Sequence, residues 1–169
     1  MMQSDQEALT RDAQRAFCTY GDMVYRLALV RVRAQADAED IVQEVFLRYL
    51  RSAPEKMDDE YEKAWLIRVT INCTKSLATS VWKSRVDPLP DDYASTPASS
   101  LDTDESRAVY DAVMALPDTY RSAIHLFYYE GYRTSEIATL LDTTDGTVRS
   151  WLSRARGMLR DVIDIEIEE

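Results

Sequence analysis

What most limits the fold of this chain is a scarcity: 4 glycines among 169 residues, and no stretch in which apolar and polar residues alternate between turn signals. Nearly every patterned segment repeats its apolar residues at three- and four-residue spacing, the period of a helix that buries one side. The expectation is an all-α protein. Three of the five prolines gather in "VDPLPDDYASTPASSLDTDES", residues 86–106, together with serines, threonines and acids. So little of that stretch can be buried that it reads as a flexible acidic linker. Two small helical domains are expected, residues 1–85 and 106–169, joined by a Pro/Ser/Asp-rich linker over 86–105.

The formal net charge of −10 is unevenly spread. Residues 86–118 hold eight acids against one base, Arg107, and the tail "DVIDIEIEE" from Asp161 holds five acids and no base. The rest of the chain is slightly basic, so the overall acidity does not exclude an anionic partner. No apolar run approaches the roughly 18–20 residues that span a bilayer. The start, "MMQSDQEALTRDAQ", lacks the apolar core of a secretion signal, which predicts a cytoplasmic protein with no direct membrane insertion. Two cysteines, Cys18 and Cys73, and one histidine, His125, cannot make a usual zinc site. Both cysteines are expected to fill core space, and His125 has no evident partner. No phosphate loop, nucleophile elbow or zinc-protease motif is present. The chain is expected to be no enzyme and to use no metal, cofactor or small-molecule substrate.

In the first half, "QRAFCTYGDMVYRLALVRVRA" reads as a long helix that could bend at Gly21. A second helix from near Asp37 places Ile41, Val42, Val45, Phe46, Tyr49 and Leu50 on one face and Asp40, Glu44, Leu47 and Arg51 on the other. The third, "EYEKAWLIRVTINCTKSLATSVWKSR", carries five bases and no acid between Lys63 and Arg85. Trp65, Leu66, Val69, Cys73 and Leu77 are its expected buried stripe. A basic helix in an acidic chain fits either an anionic partner or a solvated face.

The second half carries the stronger pattern. Pro117 suits the first turn of a helix whose expected inner face is Tyr120, Ala123, Ile124 and Phe127, with Gly131 at its end. "RTSEIATLLDTTDGTVRSWLSRARGMLR" then has the layout of a helix-turn-helix. Thr134 is a candidate cap for a short helix burying Ile137, Ala138 and Leu141, and "DTTDG" is a turn containing Gly146. Thr144 or Asp145 can cap a second helix. That helix divides cleanly: Val148, Leu152, Ala155, Met158, Leu159 and Val162 form an apolar stripe with Trp151 at its margin. Arg149, Ser153, Arg156 and Arg160 lie opposite. Such a division lets one face pack while the other offers cations to phosphates and donors to base edges.

"DAEDIVQEVFLRYLR", "WLIRVTIN", "LPDTYRSAIHLFYYEGYRTSEIA" and "TVRSWLSRARGMLR", in this order and spacing, resemble a bacterial sigma factor of the extracytoplasmic-function type over roughly residues 14–162. The resemblance implies reversible binding to core RNA polymerase, recognition of promoter DNA at −10 and −35 elements, help in melting, and an anti-sigma factor as a further partner. It implies polymerase contacts at Asp40, Gln43, Glu44 and Leu47. It implies −10 contacts at Arg68, Asn72 and Lys75, extended by Trp82, Lys83 and Arg85. It implies −35 contacts at Thr147, Arg149, Ser150, Ser153, Arg154 and Arg156. Two departures stand out: Trp151 occupies a position usually basic, and "SLATS" follows "TINCTK" where an acid and then bases are usual. The competing reading is a stand-alone helix-turn-helix regulator. It leaves the first-half stretches unexplained and demands tight unaided DNA binding from a chain of net charge −10, which phosphates repel as a whole.

Overall fold

A computed structural model describes the backbone of residues 2–84 and 104–167, with side chains for 2–77, 104 and 106–161. All the described elements are helices: α1 Met2–Val32, α2 Gln35–Ser52, α3 Asp59–Ser84, α4 Asp104–Met114, α5 Asp118–Ile124, α6 Thr134–Leu140 and α7 Asp145–Ile167. They fall into two compact units, α1–α3 and α4–α7. The linker expected at 86–105 lies outside the described residues up to 103, and α4 takes up its last two positions.

In the first unit α1 runs unbroken through Gly21 and begins at Met2, well before the apolar pattern does. Residues 2–12 are exposed throughout, so helix-favouring residues rather than packing extend it. It stops where Arg33 turns left-handed (φ 62°), with the Arg33 N–H donating to the Leu29 carbonyl at 2.8 Å. The start of α3 is capped by the Asp58 carboxylate, which accepts from the Tyr61 N–H at 2.8 Å. Val24 and Leu27 of α1, Ile41, Val45 and Tyr49 of α2, and Leu66, Ile67 and Ile71 of α3 make the core. On α3 the buried stripe includes Thr70 and Thr74, whereas Trp65, Val69 and Leu77 are only half-buried. The two threonines can be buried because their hydroxyls donate back to the Leu66 and Ile71 carbonyls at 2.7 Å each. Cys73 is buried, but Cys18 is exposed.

A buried acid, unanticipated from the sequence, ties the three helices together. Glu62 is 3% exposed, and its Oε2 accepts from the Arg15 guanidinium at 2.9 Å and the Tyr49 hydroxyl at 3.0 Å. Burial, then the bond to Glu62, pushes the Tyr49 phenol up to about 12. The folded state thus holds this proton more tightly than the unfolded chain, whose tyrosines titrate near 10. That contribution to stability is intact below pH 10 and is lost as pH rises through about 12. Tyr49→Phe should lower the melting temperature at neutral pH, for the loss of one hydrogen bond worth about 1 kcal/mol. It should also flatten the alkaline fall in stability between those two pH values, as followed by circular dichroism. An unchanged alkaline limb would show that Tyr49 does not titrate with unfolding.

In the second unit the fully buried Arg121 donates to the Leu116 carbonyl at 2.6 Å, the Met114 carbonyl at 3.5 Å and the Asp118 carboxylate. It closes the α4–α5 corner, supplying donors to carbonyls left over at the end of α4. Pro117 stands at the cap of α5 rather than in its first turn. Beyond Ile124 the helix widens into a π-turn, His125–Tyr129. The residue this turn inserts shifts the inner face beyond Ile124: Leu126 is buried in place of Phe127, which is half-buried. Tyr120, before the turn, is half-buried too, while Ala123 and Ile124 are buried as expected. His125 is buried too, stacked on Tyr129 with ring centroids 5.1 Å apart. Its Nε2 lies 3.5 Å from Glu130 Oε1, a neighbour that sequence spacing did not reveal, without hydrogen-bond geometry between the two atoms. Gly131 ends the turn at φ +75°, a conformation that favours glycine.

Candidate nucleic-acid interface

The helix-turn-helix is built from α6, a four-residue turn and α7. Thr134 does not cap α6; it is the first helical residue, and the Glu136 carboxylate accepts from the Arg133 N–H at 3.0 Å instead. The left-handed residue of the turn is Asp142 (φ 55°), a side chain that tolerates this region. Gly146 is already inside α7. Thr144 caps α7, its Oγ1 accepting from the Thr147 N–H at 3.2 Å. Ile137, Ala138 and Leu140 of α6 are buried with Val148, Leu152 and Ala155 of α7, while Leu141 is half-buried and Met158 exposed. The inner register is thus Leu140 rather than Leu141, because the chain turns immediately after Leu140.

Asp145 clasps the two helices. Its Oδ1 accepts from the Thr134 hydroxyl at 2.6 Å, and its Oδ2 pairs with Arg149 at 2.7 Å. The same carboxylate therefore links the start of α6 to the start of α7 and pairs with the first exposed arginine of α7. Ser150, Ser153, Arg154 and Arg156 are exposed along the outer side of α7, and Thr147 is half-buried with its hydroxyl 2.8 Å from that of Thr144. Arg156 Nε donates to the Tyr128 hydroxyl at 2.6 Å. Trp151 is half-buried, in keeping with its place at the margin of the apolar stripe. All six residues proposed from the sequence are gathered on one helix, outside its buried face. The acidic run from Asp161 continues α7 as helix through Ile167.

In the first unit Arg68, Asn72 and Lys75 are exposed at four- and three-residue spacing along α3, on one side of it. The backbone at Trp82 and Lys83 is helical, but their side chains, and Arg85 altogether, lie outside the described residues. On α2, Asp40, Gln43 and Leu47 are exposed, with Leu47 at 44%. Glu44 is half-buried and paired with Arg48 at 3.0 Å. Beside them Phe17, Cys18, Val42, Phe46, Leu47 and Leu50 line an apolar groove of about 710 Å³ between α1 and α2. Among the described residues no helix is long and apolar enough to cross a membrane.

Residues 17–83 match the family described as Sigma-70 region 2, and residues 106–159 match Sigma-70, region 4. The chain is 36% identical over 151 residues to the ECF RNA polymerase sigma factor SigE of Mycolicibacterium smegmatis, with 85% of this chain and 58% of that protein covered. It is 31% identical over 149 residues to the ECF RNA polymerase sigma-E factor of Haemophilus influenzae, covering 80% of this chain and 79% of that one. The chain thus spans less than two thirds of the first relative and most of the second. Its fold is similar to that of the sigma factor RpoE of Bartonella quintana, solved in complex with the anti-sigma factor NepR. The TM-score is 0.66 at 22% identity, over 92% of this chain and 98% of that one.

Proposed function

The chain belongs to the extracytoplasmic-function family of RNA polymerase sigma factors, and on that premise we propose that it binds core RNA polymerase in the cytoplasm and directs it to specific promoters. It contributes no catalysis of its own; the chemistry is the polymerase's. The observation that carries this reading is the exposed arginine face of α7, presented by a helix-turn-helix whose apolar face is buried. Arg149, Ser150, Ser153, Arg154 and Arg156, with Thr147 at the entry, contact duplex at the −35 element. Arg68, Asn72 and Lys75 hold the −10 strand as it opens, because an acid-free stripe of cations and a polar amide can follow a single-stranded backbone. Trp82, Lys83 and Arg85 extend that stripe in sequence. Asp40, Gln43, Glu44 and Leu47 dock on the polymerase, and an anti-sigma factor holds the protein inactive by competing for such surfaces. Domain limits at 1–85 and 106–169 give each half its own DNA element, with the intervening segment as tether.

The test is transcription by purified core polymerase with and without the protein, over a library of bacterial promoters. A defined subset should be initiated only when the protein is present. Leu47→Asp should lower affinity for core polymerase at least about tenfold. It places a charge where an exposed apolar side chain would otherwise be desolvated, and at 44% exposure it spares the fold. DNA binding by the protein alone, with core polymerase neither bound nor redirected, would establish the stand-alone regulator instead.

A further inference from the structure

Among the described residues on the outer side of α7, Arg156 is held against two aromatic rings, whereas Arg154 meets only the Tyr120 hydroxyl, at 3.5 Å. Its Nε donates to the Tyr128 hydroxyl at 2.6 Å, and its guanidinium carbon lies 5.6 Å and 5.5 Å from the ring centroids of Phe127 and Tyr128. Those two rings meet edge to face, 4.9 Å apart and 78° between planes. Both project from the π-turn that ends α5, whose wide hydrogen bond runs from the Glu130 N–H to the His125 carbonyl at 3.1 Å. Tyr128 is 59% exposed, so neither burial nor core packing accounts for where its ring lies. π-turns recur where a helix must re-aim side chains for function.

We infer that Tyr128, with Phe127, is a positioning residue for promoter binding: it fixes Arg156 so that the terminal Nη pair is presented to a single backbone phosphate of the −35 duplex. The inference rests on the sigma reading and deepens it. With Nε committed to Tyr128, four N–H groups remain and the fork left free is the end-on Nη1/Nη2 pair, which suits two phosphate oxygens. The rings hold the cation by their faces and reduce its freedom before DNA arrives. Arg156 also stands eleven residues beyond the start of α7, about 16 Å along the axis. Recognition helices read base edges from their N-terminal turns, so a residue this far along meets the phosphate backbone instead.

The experiment measures the affinity of the holoenzyme for a −35-containing promoter across a salt series, for Tyr128→Phe, Arg156→Ala and the double variant. A panel of base-substituted −35 elements is run alongside. Tyr128→Phe keeps the ring and should leave the melting temperature unchanged while weakening binding about threefold to tenfold. Arg156→Ala should make the slope of log affinity against log salt shallower by about 0.9, the signature of one lost phosphate contact. Tyr128→Phe should move the slope in the same direction, and base preference should be preserved in both. The double variant should bind no more weakly than Arg156→Ala alone, because the hydroxyl acts only through the arginine. Full affinity in Tyr128→Phe, additive losses in the double variant, or altered base preference would overturn the inference. Failure of the sigma reading looks different: the wild-type holoenzyme would then itself not distinguish promoter from non-promoter duplex, and the positioning role would fall with it.

Discussion

Arg121→Met should unfold the second unit at physiological temperature while leaving the first intact. Arg121 is fully buried and donates to the carbonyl of Met114, which ends α4, to that of Leu116 just beyond it, and to the Asp118 carboxylate. Methionine is similar in length but donates nothing, so buried carbonyl oxygens lose their donors while the apolar volume is kept. Leaving a buried carbonyl oxygen without its donor costs about 1–3 kcal/mol, while the Asp118 carboxylate, its side chain 73% exposed, is rehydrated. A unit of this size has a stability of about 3–10 kcal/mol, at 0.05–0.15 kcal/mol per residue, so losing two such donors consumes much or all of it. Hydrogen exchange on the full chain separates the units. Amides of α5–α7 should exchange at or near unprotected rates in Arg121→Met, while those of α2 and α3 keep their wild-type protection. Protection of α7 equal to wild type would show that the corner holds without its guanidinium.

Arg149→Ala should have the largest effect on promoter choice of any single change on α7. Arg149 is in the first turns of the helix, its side chain is 72% exposed, and Asp145 aims it through a 2.7 Å ion pair. A bidentate arginine–guanine contact discriminates by about 1–3 kcal/mol, which is roughly a 5-fold to 150-fold loss at the preferred base pair. The loss should be concentrated at one position of the −35 element, so that substituting that base pair costs the variant little more. This differs from Arg156, whose removal should weaken all sequences alike. Competition between promoter variants for a limiting amount of holoenzyme measures both. A uniform loss across −35 sequences would make Arg149 a phosphate contact, and no loss would remove it from the interface. Asp145→Asn sharpens the result: it keeps an acceptor for Thr134 and removes the ion pair, so base preference should loosen without melting the helix-turn-helix.

The helices were legible because each announces itself in local terms. Val148, Leu152 and Ala155 repeat at helical spacing and are buried, and the arginines opposite them are exposed. Arg68, Asn72 and Lys75, named through the family resemblance, likewise share one exposed side of α3. Less legible were features decided by contacts between elements or by an irregular turn. Thr134 looked like a cap but spends its hydroxyl on Asp145. His125 looked solitary until the π-turn brought Glu130 and Tyr129 to it. A buried Glu62 could not be told from the exposed Glu60 beside it, because its burial depends on Arg15 and Tyr49 arriving from other helices.

By itself, then, the amino-acid sequence determined the helical class, the division into two halves and which faces carry the cations, since periodicity and charge act over a few residues. The tertiary structure alone decided the ties between elements: Arg121 buried within a corner, Asp145 against Thr134, and Arg156 between two rings presented by a π-turn. A hydrogen bond between separate elements is made only when packing brings its partners within about 3 Å, and no local pattern encodes that distance.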